Sequence, residues 1–555
     1  MSALLEIEGL RVGVPDHGGP KEVLRGVDLS IAAGESVGLV GESGAGKTMT
    51  ARAVLRLLPP GARAEGSVRF DGRDVLAMSP PELRAYRASQ AAIVFQDPRA
   101  HTNPLRTVGD YLTEGLRRNQ GLPERASRER ACELLGAVGV ENPGVRLSSY
   151  PHELSGGLLQ RVMIAAALTA EPRLLLADEP TTALDTVTQA EVVAILAGLR
   201  QRLGLAMLFI SHDLELAAAT CDRTAVLHAG SIVEVQRSAD LHDRPLHPYT
   251  ARLVGARLSV DAPARHRRVP APGPPPAEPI LEVAHLRKVF GPRRGRAAVV
   301  AVDDLSFSVP PGGSLALVGE SGAGKTTVAR MLLGLETPTS GRIRVAGHEP
   351  ARRPPSTAER RRRAQGLQAV FQNPYGSLDP RQRVGACLEE ALRLHSGGDR
   401  RARRERALQL LHQVGLEECH ARSLPHQLSG GQGQRVAIAR ALAPEPRILV
   451  LDEAVSALDA PVQDQILNLL ATLRAETGVA YVCISHNLAV VRQLADHLIV
   501  MRDGQVVEAG PTARLLDSPR HPYTRLLRAS VPGPDWTVSA GSSGRPDGRP
   551  RTPSC

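Results

Sequence analysis

The chain has 555 residues, which suits two domains of roughly 250 residues each better than one continuous hydrophobic core. Hydrophobic residues make up 42% of it, a share typical of globular proteins, so disorder along the whole chain is excluded. The formal net charge of +10 raises nucleic acid or an anionic membrane surface as partners. Much of that excess lies in two arginine-rich runs, 360–363 and 400–406. No aromatic residue is interleaved there to stack on bases, so we interpret both runs as solvated faces and expect no nucleic-acid partner.

The cysteines and the first residues point to a cytosolic protein. The six cysteines stand far apart and form no CxxC pair, which gives no support to a zinc or iron–sulfur site and fits a reducing compartment. Residues 1–10 include Glu6 and Glu8 and do not have the pattern of a signal peptide. Because no apolar run reaches the 18 or so residues of a membrane span, we expect a soluble protein or one that another protein holds at a membrane.

One set of four motifs occurs twice in the same order. GESGAGKT occupies 41–48 and 319–326, and LSGG occupies 154–157 and 428–431. An apolar run that ends in Asp-Glu follows in each half, and then an apolar run that leads into Ser-His. The two aspartates stand 274 positions apart, and 34 positions separate aspartate from histidine in both halves. Since chance similarity does not keep four motifs at nearly constant spacing, the chain contains two copies of one unit.

The predicted strands are short, continuous apolar runs bounded by polar residues. Such runs are typical of strands that are buried on both faces of a parallel sheet, and the segments between them have helical patterns. Each half is therefore predicted to be an α/β sandwich. The predicted strands are 36–40, 174–177 and 207–210 in the first half and 314–318, 448–451 and 481–484 in the second.

GESGAGKT matches the phosphate-binding loop pattern GxxxxGK[ST], and each copy follows a predicted strand and opens a predicted helix. Its glycines let backbone N–H groups surround phosphates at the positive end of that helix. We expect Lys47 and Lys325 to reach the β- and γ-phosphates of ATP, and Thr48 and Thr326 to ligate Mg²⁺. An ordinary glycine turn is the alternative, and two corroborating copies argue against it. The complete predicted ATP-binding loops are Gly41, Glu42, Ser43, Gly44, Ala45, Gly46, Lys47 and Thr48, and Gly319, Glu320, Ser321, Gly322, Ala323, Gly324, Lys325 and Thr326.

Acidic pairs end two of the predicted strands. Asp178 and Asp452 close hydrophobic runs, where a charge is costly unless it binds something, so we expect them to hold Mg²⁺ through water. Glu179 and Glu453 come next and are the candidate catalytic residues that orient or deprotonate the attacking water. A solvated acid at a strand end is the alternative, and the phosphate loops make it the weaker one. Together these residues indicate a P-loop NTPase.

The LSGG motif narrows the class. In both halves it sets a serine and two glycines before an alanine-rich helical stretch, which makes a second anion site. With these motifs the chain resembles the ATP-binding cassette (ABC) family, over nearly everything from Leu5 to Leu527. The resemblance implies two tandem cassettes, each with a mostly parallel sheet core, an antiparallel β part and a helical signature subdomain. It also implies that the signature loop of one cassette closes over the ATP of the other. This would add Ser155, Gly156, Gly157, Ser429, Gly430 and Gly431 to the ATP-binding residues.

Four further residues match functional positions of the family. Gln96 and Gln372 match the glutamine that senses the γ-phosphate and the membrane subunit, and we assign them to the Mg²⁺ site as well. His212 and His486 match the switch histidine that contacts the γ-phosphate, and we count them as catalytic. A lone histidine after a strand is more often structural, but the spacing shared by the two halves favours the functional interpretation.

The two halves depart from the family pattern in small ways. The family usually stacks adenine on an aromatic residue shortly after the first strand, and Phe290 matches that residue in the second half. The first half has Val14 there. The first signature has Leu158 where the second has the usual Gln432. Since no catalytic group is lost, we expect both sites to hydrolyse ATP and the site of Phe290 to bind it more tightly.

The sequence HPYT follows each cassette, at 247–250 and 521–524. It resembles the C-terminal extension of the oligopeptide, dipeptide and nickel importer ATPases. That resemblance implies an ATP-hydrolysing importer subunit, a peripheral place on the cytoplasmic face of the membrane, and as partners two integral-membrane permeases and an extracellular solute-binding protein. Peptide is the favoured cargo, and nickel or another small solute is the second choice.

Tandem cassettes also occur in other settings, so alternatives remain open. A soluble ATPase that acts on the ribosome or on nucleic acid is the main one, although such ribosomal factors have a long, charged helical linker. Here the segment between the halves, 261–279, is short and contains seven prolines. We predict a first cassette with its extension over 1–260, this linker, a second cassette with its extension over 280–535, and a disordered tail over 536–555.

Overall fold

The computed structural model describes residues 3–15, 19, 21–182, 184–264, 278–291, 298–349, 356–395, 399–456, 458–533 and 536. These residues form two compact units, one within Met1–Gly255 together with Pro532–Cys555, and one within Ala256–Val531. Most of the predicted linker (265–277) and of the predicted tail (537–555) lies outside the described residues. Residues at the start of that linker pack on the second unit, where Arg492 Nε donates to the carbonyl of Ala262 at 2.9 Å.

The first unit contains an antiparallel sheet, a mainly parallel sheet and a set of helices. Its strands are β1 (Ala3–Val14), β2 (Lys21–Ala32), β3 (Ser36–Val40), β4 (Arg63–Phe70), β5 (Arg73–Asp74), β6 (Ala91–Val94), β7 (Leu174–Asp178), β8 (Ala206–Ser211), β9 (Arg223–His228) and β10 (Ser231–Arg237). Its helices are α1 (Lys47–Val54), α2 (Pro80–Ser89), α3 (Val108–Gln120), α4 (Glu124–Ala137), α5 (Pro143–Arg146), α6 (Gly156–Leu168), α7 (Thr186–Leu203), α8 (Leu214–Thr220) and α9 (Pro248–Gly255).

The mainly parallel sheet of the first unit has the strand order β10-β9-β3-β8-β7-β6. Its neighbours pair in parallel except β10, which pairs antiparallel with β9. Every residue of β3, β7 and β8 is buried, which explains why these strands are continuous apolar runs rather than alternating ones. Because parallel strands end at the same edge, the phosphate loop after β3, the Asp-Glu pair after β7 and the Ser-His pair after β8 meet there.

The mainly parallel sheet of the first unit contributes to two hydrophobic clusters, one with the antiparallel sheet and one with the helices. The antiparallel sheet, with the order β2-β1-β4-β5, buries Leu5, Leu24 and Ile31 in the same hydrophobic cluster as residues of α1. A second cluster is formed largely by α3, α4, α6 and α7 and includes the fully buried Leu112. Trp536, the first residue of the predicted tail, is partly buried against this second cluster.

The second unit repeats this plan. Its strands are β11 (Leu281–Phe290), β12 (Val299–Val309), β13 (Ser314–Val318), β14 (Ser340–Val345), β15 (Leu367–Phe371), β16 (Ile448–Asp452), β17 (Ala480–Ile484), β18 (His497–Arg502) and β19 (Gln505–Pro511). Its helices are α10 (Lys325–Leu332), α11 (Thr357–Gly366), α12 (Pro374–Ser377), α13 (Val384–His395), α14 (Arg400–Gln413), α15 (Gly430–Leu442), α16 (Ala460–Thr477), α17 (Leu488–Leu494), α18 (Thr512–Asp517) and α19 (Pro522–Ala529).

The sheets of the second unit have the orders β12-β11-β14 and β15-β16-β17-β13-β18-β19. The larger sheet is parallel from β15 to β18, and β19 pairs antiparallel at its edge. The predicted α/β architecture is therefore confirmed, and each predicted strand agrees with the observed one to within one residue at either end. Within the described ranges, no helix is both long and apolar enough to cross a bilayer.

Candidate active sites

The phosphate loop of each unit turns directly into a helix. Gly46 (φ 110°) precedes α1 and Gly324 (φ 98°) precedes α10, both in the left-handed region that residues with a Cβ rarely adopt. A Cβ at Gly46 would also lie 2.5 Å from Leu24 Cδ2. The glycine therefore allows the loop to end against the first turn of the helix, whose leading N–H groups and positive end suit an anion.

A buried lysine closes each loop. Lys47 Nζ donates to the carbonyl oxygens of Gly41 at 2.7 Å and Glu42 at 3.0 Å. Lys325 Nζ makes the equivalent bonds to Gly319 and Glu320, both at 2.7 Å. The lysine side chains are only 5% and 7% exposed, so each ammonium is held at the phosphate loop.

The aspartate that ends β7 lies beside the threonine of the phosphate loop. In the first unit, Thr48 Oγ1 donates to Asp178 Oδ1 at 3.1 Å. Burial raises the pKa of Asp178 despite this hydrogen bond, and burial also raises the pKa of Asp452. A hydroxyl and a buried carboxylate side by side are oxygen donors of the kind that Mg²⁺ takes, and a cation would offset the cost of burying the charge. The residues present therefore fit a Mg²⁺ site.

The glutamate that follows has a backbone conformation that the sequence did not predict. Glu179 has φ 46° and Glu453 has φ 51°, in the left-handed region. Each backbone N–H donates to the end of the neighbouring strand, to Ile210 O at 3.0 Å and to Ile484 O at 2.9 Å. Such strain persists only where surrounding contacts fix it, and it is most frequent at functional sites.

The side chain of Glu179 lies within a cluster of polar groups. Its carboxylate accepts from Gln96 Nε2 and Thr182 Oγ1, both at 2.8 Å, and lies 3.4 Å from His212 Nδ1 and 3.7 Å from Lys47 Nζ. The structure thus brings four of the residues predicted for the first site into contact. In the second unit, His486 Nδ1 lies 3.0 Å from Glu453 Oε1.

The electrostatics of this cluster keep the glutamates ionised. Burial alone would raise the pKa of Glu179, but the hydrogen bond and charge of His212 and the charge of Lys47 outweigh it and lower the pKa to about 2. Burial would likewise raise the pKa of Glu453, but His486 and Lys325 lower it. Burial would lower the pKa of His212, and the carboxylate of Glu179 raises it instead. Each glutamate is a carboxylate at neutral pH, and in the first unit it lies beside a histidine whose pKa is raised.

The signature serines begin the helices that follow them. Ser155 caps α6 by accepting from the backbone N–H of Leu158 at 3.3 Å, and Ser429 caps α15 in the same way. Only Gln432 completes a capping box, since its Oε1 accepts from the Ser429 N–H at 2.9 Å. The side chain of Leu158 cannot accept a hydrogen bond, so the first signature has the serine cap without the capping box.

The second signature glycine is required by a close helix contact. A Cβ at Gly157 would lie 2.2 Å from Thr188 Cγ2, and one at Gly431 would lie 2.4 Å from Val462 Cγ1. We predict that Gly431→Ala destabilises the protein by about 1–3 kcal/mol, because α15 would have to move from α16. Gly433→Ala on the same helix is the control, since its Cβ would meet nothing closer than 3.6 Å. Denaturant unfolding that ranked the two variants equally would contradict this explanation.

Gln372 and the residues predicted for adenine lie at strand ends. Gln372 follows β15 directly and is exposed. Phe290 ends β11, is 40% exposed and has Lys288 Nζ 5.0 Å from its ring centroid. Val14 ends β1 in the same way, so the sequence alignment of Val14 with Phe290 agrees with the positions of the two residues in their sheets. An exposed aromatic ring at this position is able to stack on a base, and the first unit lacks one here.

Known proteins are similar to this chain over almost its whole length. The model of the ABC transporter family matches residues 24–182 and 302–456, and the model of the oligopeptide/dipeptide transporter C-terminal region matches 233–297 and 507–549. The glutathione import ATP-binding protein GsiA of Salmonella typhimurium strain LT2 is 39% identical, over 96% of this chain and 90% of its own length. The uncharacterized ABC transporter ATP-binding protein YejF of Escherichia coli K12 is 42% identical, over 95% and 99%. A dimeric structure of the ATP-binding cassette MJ0796, bound to ADP and phosphate, is 29% identical over 42% of this chain and 98% of its own, with a TM-score of 0.38.

The fold and these sites define a P-loop ATPase with two cassettes in one chain. The chain belongs to the ABC transporter family, as a tandem pair of ATP-binding cassettes, each followed by the C-terminal region of oligopeptide/dipeptide transporters. The resemblance inferred from the motifs is thereby confirmed, and the chain is an ATPase coupled to transport.

Proposed function

We propose that this chain is the energy-coupling subunit of a peptide importer, with nickel or another small solute as the second choice of cargo. The observation that carries the proposal is the oligopeptide/dipeptide transporter C-terminal region, which follows both cassettes. The relatives support it, because GsiA is named for the import of glutathione, which is itself a tripeptide. The partners are two permeases and an extracellular solute-binding protein, and the chain is peripheral on the cytoplasmic face of the membrane.

Each ATP site is proposed to divide its work among a few residues. The loop N–H groups and Lys47 bind the phosphates, Thr48 and Asp178 hold Mg²⁺, and Glu179 orients the attacking water. Mg²⁺, when bound, neutralises charge on the phosphates. Gln96 and His212, which contact Glu179, link it to the γ-phosphate. The second site uses Lys325, Thr326, Asp452, Glu453, Gln372 and His486 in the same roles.

Uptake by cells tests the proposed cargo. The chain is produced with candidate permeases and a candidate binding protein from the same organism, in cells that lack other peptide importers, and the uptake of labelled dipeptides, glutathione and Ni²⁺ is measured. We expect peptide accumulation that is lost when Lys47→Ala and Lys325→Ala are combined. Accumulation of Ni²⁺ alone would favour the second choice, and uptake of neither would refute import of these cargoes.

Membrane fractionation tests the proposed location. We expect the chain in the membrane fraction only when the permeases are present, because permease contacts hold it there. The arginines of α14 offer a competing mode, direct attraction to anionic lipid. Several of them are paired on the surface, as Arg401 is with Glu405 at 3.0 Å and Arg406 with Glu445 at 3.0 Å. Equal recovery with membranes from cells without permeases would show that lipid holds the chain.

A further inference from the structure

The tyrosine of each HPYT motif is bonded to the phosphate loop of its own unit. The backbone N–H of Glu42 donates to Tyr249 Oη at 3.2 Å, and that of Glu320 donates to Tyr523 Oη at 2.9 Å. The two tyrosines are 4% and 2% exposed. The paired residues are 207 and 203 positions apart in the chain, so the bond is a product of the fold and occurs in both units.

The rest of the motif places the tyrosine. The Nδ1 atoms of His247 and His521 accept from the backbone N–H of the tyrosine two residues later, at 3.1 and 3.2 Å, and so hold the start of the last helix. The proline between them suits the first position of that helix, which has no need of a backbone N–H.

A buried or partly buried glutamate anchors the segment before the motif. Glu234 on β10 accepts from the backbone N–H groups of Leu246 and His247, both at 2.9 Å. Glu508 on β19 accepts from those of Arg520 and His521, at 3.0 and 3.1 Å. No local sequence pattern identifies these glutamates, because their partners lie on a loop 12 and 13 positions away.

The tyrosine ring is also fixed from the side of the sheet. The ring of His228 stacks on Tyr249 with centroids 3.9 Å apart, and the guanidinium of Arg502 lies 5.1 Å from the ring centroid of Tyr523. His228 and Arg502 are the last residues of β9 and β18, the strands beside the one that leads into each phosphate loop. The hydroxyl of each tyrosine therefore contacts the phosphate loop, and its ring contacts a strand that borders the loop.

The second residue of the loop is consequently held on both of its backbone polar groups. The tyrosine accepts from the N–H of Glu42, and Lys47 donates to its carbonyl. Glu320 is held in the same way by Tyr523 and Lys325. The orientation of this residue sets the direction of the N–H groups that follow it in the loop, which are those expected to meet the phosphates.

We propose that each HPYT tyrosine is a positioning residue for ATP, whose hydroxyl fixes the first turn of the phosphate loop. The C-terminal extension is then a part of the ATP site. The proposal rests on the phosphate loops binding ATP, as proposed above, and is independent of the cargo. Tyr249 and Tyr523 are not placed in contact with the nucleotide, so they act through Glu42 and Glu320.

The test is the pair of substitutions Tyr249→Phe and Tyr523→Phe, singly and combined, in the full chain with its permeases. Phenylalanine keeps the ring and its packing and removes the acceptor of the Glu42 and Glu320 N–H groups. Loss of one such hydrogen bond corresponds to about a fivefold change in an equilibrium constant. We expect KM for Mg-ATP, and Kd for a fluorescent ATP analogue, to rise about fivefold in the double variant. We expect kcat to change less than about twofold, because the loop binds ATP before and during the reaction.

Two other buried tyrosines provide matched controls. Tyr86 Oη donates to Val54 O at 3.1 Å in the first unit, and Tyr481 Oη donates to Leu470 O at 2.7 Å in the second. Their phenylalanine variants lose a buried hydrogen bond elsewhere and are expected to leave KM unchanged. A merely structural role would lower the active fraction, which reduces the maximal rate and leaves KM as it was.

The KM and Kd of the four tyrosine variants distinguish a positioning role from a structural one. An increase in KM and Kd confined to Tyr249→Phe and Tyr523→Phe supports the proposal. An unchanged KM and Kd in these variants, or an equal rise in Tyr86→Phe and Tyr481→Phe, overturns it. If the double variant does not fold, the single variants apply the same criterion to one site at a time. Failure of the unmodified chain to bind ATP would instead refute the phosphate-loop assignment on which the proposal depends.

Discussion

ATP hydrolysis is expected to fall about a hundredfold or more when Lys47→Ala and Lys325→Ala are combined. Each substitution removes a buried positive charge from the phosphate loop and leaves two loop carbonyls without the ammonium that binds them. Glu179 also loses a cation 3.7 Å from its carboxylate. ATP binding should therefore weaken together with turnover, since the lysine is expected to contact the phosphates in both states. Phosphate release by the purified chain, with its permeases present if it is inactive alone, measures the effect.

The control for this experiment removes the same charge from the surface. Arg125 on α4 and Arg401 on α14 are 92% and 89% exposed, and each pairs with a glutamate one helical turn later. Arg125→Ala combined with Arg401→Ala should leave hydrolysis unchanged, because exposed pairs of this kind contribute little. If the lysine and arginine variants lost activity alike, net charge rather than the phosphate loops would explain the loss. Undiminished release from the lysine variant would refute the assignment of both loops.

The parallel sheets could be predicted closely because their signal is local. Strands such as β3 and β13 are buried on both faces, so each is a continuous apolar run with polar residues at its ends. The glycine pattern of the phosphate loop is local as well, because the left-handed backbone at Gly46 and Gly324 strongly favours glycine over residues with a Cβ. Each motif also occurs in both halves, so one copy supports the interpretation of the other. Four motifs in the same order then left few alternatives for the class of protein.

The parts that could not be predicted depend on contacts between distant segments. The left-handed backbone of Glu179 goes with a hydrogen bond to Ile210 on a neighbouring strand, and no local pattern specifies it. Similarly, HPYT can be recognised from the sequence by its resemblance to the extension of importer ATPases, but the bond from Glu42 to Tyr249 requires the whole fold of the unit. The need for glycine at 157 becomes clear only when α6 packs against α7. Sequence patterns thus locate the residues, and tertiary contacts determine what each one touches.

The second large effect is expected from Glu179→Gln combined with Glu453→Gln. Glutamine keeps the size of the side chain and removes the charge that we propose orients the attacking water, so kcat should fall roughly 10²- to 10³-fold. Binding should persist, because neither glutamate is among the groups proposed to hold the phosphates. Loss of a carboxylate near the triphosphate also removes a repulsion, so Kd for Mg-ATP should stay constant or fall. This separates the variant from the lysine variant, in which binding and turnover are lost together.

The low pKa of Glu179 bears on whether the carboxylate orients the attacking water or acts as a general base. A group with a pKa of about 2 is a weak base at neutral pH, so we propose that Glu179 holds and polarises the water rather than removing its proton in advance. Because the pKa is lowered, Glu179 stays ionised well below neutrality, and its protonation should not reduce kcat between pH 8 and pH 5. The pKa of His212 responds in the opposite direction, because Glu179 raises it and Glu179→Gln should therefore lower it.

The matched control is Glu129→Gln combined with Glu405→Gln, at side chains that are 62% and 60% exposed, and it should retain full activity. Full turnover in the Glu179→Gln and Glu453→Gln variant would show that the water is oriented by other groups, and an equal loss of ATP binding would place both glutamates in the binding site instead.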